Sequence, residues 1–118
     1  MADDILDYSA INQLLESVGG DRAFLGELIY TYVVDAPRLI ELMRQAAAAN
    51  DPAKLRRAAH SLKSNSANFG ATHLAKLCQA LEEAAQRAVL ENVTPRLAEI
   101  EGEFEQVKSA LAKLRAMK

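Results

Sequence analysis

The sequence predicts an all-α protein: an antiparallel, up-down four-helix bundle with a short extra helix at its N-terminus. Three observations carry that expectation. Half of the 118 residues are apolar, yet there are only three Tyr, three Phe and no Trp, so the core is aliphatic. Five Gly and three Pro are too few for the many turns of an all-β protein. The apolar residues recur at helical spacing in segments joined by short connections, which makes neighbouring helices antiparallel. A chain of this length is one domain, residues 1–118.

Each element has its own signals. Ser9 can cap a first helix that runs to about Val18 and stops at Gly19-Gly20. Asp21 can cap the next, whose apolar face holds Phe24, Leu25, Leu28, Ile29, Tyr32 and Val33 and continues through Leu39, Ile40, Leu42 and Met43. Pro37 interrupts it, so residues 21 to 49 form either one kinked helix or two abutting ones. Asp51-Pro52 is an N-cap followed by a first-turn proline. The helix it starts ends before Gly70, which can take the left-handed conformation. Leu74, Leu77, Cys78, Leu81, Ala84, Ala85 and Ala88 mark a fourth helix over about 71–88. The last begins at Thr94-Pro95. Its seam, Val93, Leu97, Ile100, Phe104, Val107, Leu111 and Leu114, is the most regular in the chain.

Several function classes are disfavoured. Net charge is −2 with acids and bases interspersed, so neither nucleic acid nor a membrane surface is an expected partner. No apolar run approaches the ~20 residues that span a bilayer, and no signal-peptide pattern opens the sequence. The single cysteine, Cys78, fits a reducing cytosol, and its place on an apolar stripe marks it as a small core residue. The five glycines cannot assemble a nucleotide-binding loop, so autokinase activity is not expected. No Glu-x-x-His pair is present for a di-iron bundle, and His60 and His73 share no helical register for a metal. Glu82-Glu83 and Glu101, Glu103 and Glu105 read as solvated faces.

His60 is the residue that asks for a chemical explanation. At roughly 100° per residue, Leu55, Ala59, Leu62, Ser66 and Phe69 form the inward stripe, centred roughly 140° from His60. His60 therefore faces outward. It shares that face with Ala53, Arg56, Arg57, Lys63, Ser64 and Ala67, small residues and cations that would let another protein approach and would suit an anion on the ring. No acid or cysteine lies at helical contact spacing from it. A surface histidine without function is the bland alternative. His73 reads as a surface residue. Tyr30 and Tyr32 are candidates for a docking surface, with core packing an equal explanation for Tyr32.

Ala59-His60-x-Leu62-Lys63, Gly70 ten residues after the histidine, then Leu77-Cys78 and Leu81-Glu82 resemble the histidine-containing phosphotransfer (HPt) domains of bacterial multistep phosphorelays. Gly19-Gly20-Asp21, Phe24-Leu25 and Ala36-Pro37 resemble the same family, so the likeness runs from about residue 10 to the end. Ser64 stands where the family usually has glycine; it is still small, and its hydroxyl can donate to a phosphoryl oxygen. The resemblance implies a two-component phosphorelay role in which His60 is the phosphoacceptor and Lys63 steadies the phosphoryl group. It implies response-regulator receiver domains and a hybrid sensor histidine kinase as partners. It also implies no cofactor of its own, with Mg²⁺ supplied by the receiver. Arg56, Arg57, Ser64 and Ala67 would contact the partner, and Gly70 would end the helix. A cytoplasmic monomer is expected. The alternative from another class is a helical interaction module indifferent to His60. A histidine-kinase dimerisation domain is disfavoured, because no H-E-x-x-P-like setting surrounds the histidine.

Overall fold

Asp21 and Asp51 start helices as their positions in the sequence require: their carboxylates accept from the backbone N–H of Phe24 at 3.0 Å and of Lys54 at 3.2 Å. The computed structural model describes residues 5–116. They form α1 (Tyr8–Ser17), α2 (Arg22–Ala48), α3 (Pro52–Asn68), α4 (Thr72–Gln86) and α5 (Val93–Ala116), with no strand among the described residues. α2 packs on α3 and α5, and α4 packs on the same two, which closes a ring of four helices. α1 lies across α2 and α3.

Local details refine the expectations. The cap of α1 is Asp7, not Ser9: its carboxylate accepts from the Ser9 N–H at 3.0 Å. Ser9 is instead an early helical residue whose own donor needed a partner. α2 is one continuous helix through Pro37. Proline has no N–H to offer the Val33 carbonyl, but Pro37 lies on the exposed side, where water can serve. α4 ends at Gln86, and Ala88 lies beyond it, exposed and left-handed at φ 58°. That conformation lets the Val89 N–H close back on the Ala84 carbonyl at 2.8 Å. α5 begins a residue earlier than Thr94.

The core is the aliphatic one the composition demands. Leu55, Leu62, Leu74, Leu81, Ile100, Val107 and Leu111 are fully buried. Removing any such leucine methyl cluster would cost about 2–5 kcal/mol. All five inward positions of α3 are buried, as is the α5 seam apart from Leu114 at its end. Two residues assigned to the apolar face of α2 are exposed instead: Phe24 (44%) and Leu42 (41%). Both sit on the rim of the stripe, which a helix of this length cannot keep fully covered. Tyr32 is a core residue. Its ring stacks on Phe69 at 4.8 Å and meets Phe104 edge-on at 5.9 Å, and its hydroxyl pairs with Ser66 Oγ at 2.8 Å. That pairing satisfies two polar atoms deep in the bundle.

Gly70 positions the upper end of the molecule. Its φ is 72°, and a Cβ there would collide with the backbone of Asp7. The Asp7 N–H donates to the Gly70 carbonyl at 2.7 Å. One glycine thus ends α3, allows a tight turn into α4 and seats the start of α1.

Candidate functional site

The turn from α3 to α4 is only residues 69–71. Two antiparallel helices joined so closely are in fixed register, and His60 and Glu82 lie ten residues before and twelve after the turn's central Gly70, within one helical turn of facing each other. The consequence is a contact across the α3–α4 seam. His60 Nδ1 is 2.9 Å from Glu82 Oε2. Lys63 Nζ is 2.7 Å from Glu82 Oε1. Glu82 is not a solvated residue. It neighbours the fully buried Leu81, sits at the edge of the α4 stripe, and its side chain is 15% exposed. Only Glu83, hydrogen-bonded to Gln79 at 3.2 Å, remains on the open face.

The charges explain the geometry. Burial by itself would raise the Glu82 carboxyl, but hydrogen bonds from Lys63 and His60, and their charges, outweigh it and hold the group below its ordinary range. Glu82 is therefore ionised at neutral pH. A carboxylate only accepts hydrogen bonds, so the proton of a neutral His60 ring belongs on Nδ1. Nε2 is left with the free lone pair, on a side chain 57% exposed. The ring is outward, as helical counting predicts, and it is also locked in one tautomer. Beneath this pair lies Cys78, fully buried. Burial pushes its thiol up to about 12, with the Glu82 charge adding and Lys63 opposing, so it offers no nucleophile at neutral pH.

The other singled-out residues divide clearly. Arg56, Arg57, Ser64 and Ala67 are exposed on the His60 face of α3. Tyr30 is not beside it. Its exposed ring lines a groove made with α1 and with Leu114 and Arg115 of α5. His73 is exposed in the first turn of α4. Glu101 pairs with Arg44 at 2.6 Å and Glu105 with Lys108 at 3.2 Å, both at the surface. Among the described residues no group of three or more His, Cys, Asp or Glu is placed to hold a metal ion. No described helix is long and apolar enough to cross a membrane.

A helical bundle with an outward imidazole held by a carboxylate beside an ammonium group has the chemistry a histidine-borne group would need. Comparison with known proteins gives the family. The model of the Hpt domain matches residues 27–117, and the chain belongs to that family of histidine phosphotransfer domains, which are phosphorelay intermediates rather than kinases. It is 31% identical to histidine-containing phosphotransfer protein B of Pseudomonas aeruginosa PAO1, over 97% of this chain and 96% of that one, with a TM-score of 0.88. The HPT domain of a hybrid histidine kinase from Shewanella (22% identical, 98% and 97% covered, TM-score 0.74) shares the fold. So does the maize phosphotransfer protein ZmHP2 (23%, 96% and 84%, 0.82). Multistep phosphorelay regulator 1 of Schizosaccharomyces pombe is 32% identical over 79 residues, 66% of this chain. The chain matches only 27% of that relative's length.

Proposed function

We propose that His60 accepts a phosphoryl group from the aspartyl phosphate of one receiver domain and passes it to the aspartate of another. The observation that carries this is the Glu82-bound Nδ1, which leaves Nε2 free on an exposed ring. In the forward step the Nε2 lone pair forms the P–N bond, the P–O bond to the donor aspartate breaks, and the aspartate departs as a carboxylate. The proton stays on Nδ1 throughout, and the positive charge the ring gains is faced by Glu82. In the onward step the acceptor carboxylate forms a P–O bond, the P–N bond breaks, and the electron pair returns to Nε2.

Lys63 has three donors and faces Glu82 as an ion pair at 2.7 Å. A donor remains available to a phosphoryl oxygen one helical turn away. A charge-assisted hydrogen bond of this kind is worth about 1.5–3 kcal/mol, or roughly tenfold to a hundredfold in rate. That falls far short of a full enzymatic acceleration. The remainder comes from the receiver, whose Mg²⁺ neutralises phosphoryl charge when the two proteins meet. In this reading the domain acts without ATP or autonomous kinase activity, and we propose that it serves receiver domains and a hybrid sensor kinase as a monomer in the cytoplasm. Arg56, Arg57, Ser64 and Ala67 form the near contact surface, the small side chains of Ser64 and Ala67 admitting the partner's loops.

The test is transfer from a ³²P-labelled receiver with Mg²⁺. Label should appear on the wild-type chain and be absent from His60→Gln. Undiminished label on the variant contradicts the assignment, and binding without label favours a plain interaction module.

A further inference from the structure

A second surface adjoins His60 on the side away from Glu82. α2 and α3 leave an open groove of about 550 Å³ between them. Arg57 and Ser61, which flank His60 along α3, form one wall, and Lys54 extends it. Arg38 and Leu42 of α2 form the other. Leu42 is one of the two large side chains that escaped the α2 stripe, and it is 41% exposed on this wall. Arg38, Lys54 and Arg57 line the same groove. Among the lining residues the only acid is Asp51, whose carboxylate already accepts from the Lys54 backbone N–H. Arg38 also holds Asp35 at 2.8 Å, an exposed pair that contributes little and is readily exchanged. A groove lined by three cations, one acid and an exposed leucine contrasts with a chain whose net charge is −2.

We infer that this α2–α3 groove is a specificity-determining contact for an acidic receiver surface, one that sets an apolar side chain on Leu42 and carboxylates against Arg38, Lys54 and Arg57. This rests on the proposed transfer at His60. An aspartyl phosphate brought onto His60 carries the rest of its protein over the adjoining face, and the groove begins at the next residue. Cations spread over two helices and mixed with apolar side chains fit a protein surface better than a free anion, which would need donors converging on one point. Rim charges of this kind set association rate and partner choice more than final affinity, and their effect fades as salt rises.

The test uses a receiver domain that exchanges phosphoryl with the wild-type chain. Lys54→Glu combined with Arg38→Glu should weaken binding of that receiver about tenfold at low salt and flatten its salt dependence. Leu42→Ser should weaken it at all salt concentrations. Labelling of His60 by the small donor phosphoramidate should be unchanged in both variants, which separates docking from chemistry. Wild-type affinity and salt slope in both variants would overturn the groove while leaving transfer at His60 intact. Failure of every receiver to exchange with the wild-type chain would overturn both.

Discussion

α3 reaches its neighbours through two polar links that differ in kind. Inward, Ser66 pairs with Tyr32 of α2: neutral, fully buried and walled by Phe69 and Phe104. Outward, His60 and Lys63 share Glu82 of α4: charged, and open to solvent on the histidine side. Burial drives the Tyr32 phenol far above its ordinary range, despite the opposing Ser66 hydrogen bond, so the inner link never ionises near neutrality. The outer link holds a carboxylate in its charged form and through it fixes a proton on one nitrogen. Polarity sealed in the core specifies how helices pack; polarity left at the edge of a seam is available for chemistry.

Glu82→Ala should break the outer link alone. With Nδ1 unheld and the ring free to turn, phosphoryl transfer should slow about 100-fold, while the fold persists with a melting temperature lower by only about a few degrees. Transfer at the wild-type rate would mean that Glu82 does not orient His60. Gly70→Ala attacks the turn that sets the register of α3 and α4. A side chain there needs positive φ and must displace Asp7, so denaturant melts should report a loss of about 2–3 kcal/mol. Tyr32→Phe strands the Ser66 hydroxyl in the core and should cost about 1–2 kcal/mol with no effect on transfer; adding Ser66→Ala should cost less than the sum of the two changes.

Acid sharpens the contrast. The Glu82 carboxyl is held below its ordinary range in the folded chain, so its contribution to stability is present above the unfolded carboxylate range and disappears as pH falls through the lowered folded value. Melting wild type and Glu82→Gln from pH 7 down to pH ~3 should show their difference shrinking toward zero, whereas the Tyr32→Phe penalty should persist. The smallest effect belongs to Ala88, a left-handed alanine outside both links. Ala88→Gly should stabilise by about 0.5–1 kcal/mol in chemical denaturation, and a loss would show that the strain is not there.

Much of this was legible from local rules. The Asp21 and Asp51 caps, the Gly70 stop and the inward and outward faces of α3 all depend on residues within one or two helical turns, where spacing alone decides. Pro37 was ambiguous because its local rule permits both a break and an exposed interior position; the packing of α2 along α3 and α5 makes the helix continuous. The two polar links were not legible. Ser66 and Tyr32 are 34 positions apart and His60 and Glu82 are 22 apart, so each pairing exists only once the bundle register is set. Helical spacing around His60 finds no acid, since the acid comes from the neighbouring helix. The available signal was the three-residue turn after Asn68, which places position 82 within one helical turn of position 60 when the two helices run antiparallel.

The most direct measurement is the site of attachment itself. A ¹⁵N-labelled chain treated with phosphoramidate should show ³¹P–¹⁵N coupling to Nε2 of His60, with Nδ1 still protonated. Phosphorus on Nδ1, or on His73 with His60 unmodified, would contradict the account.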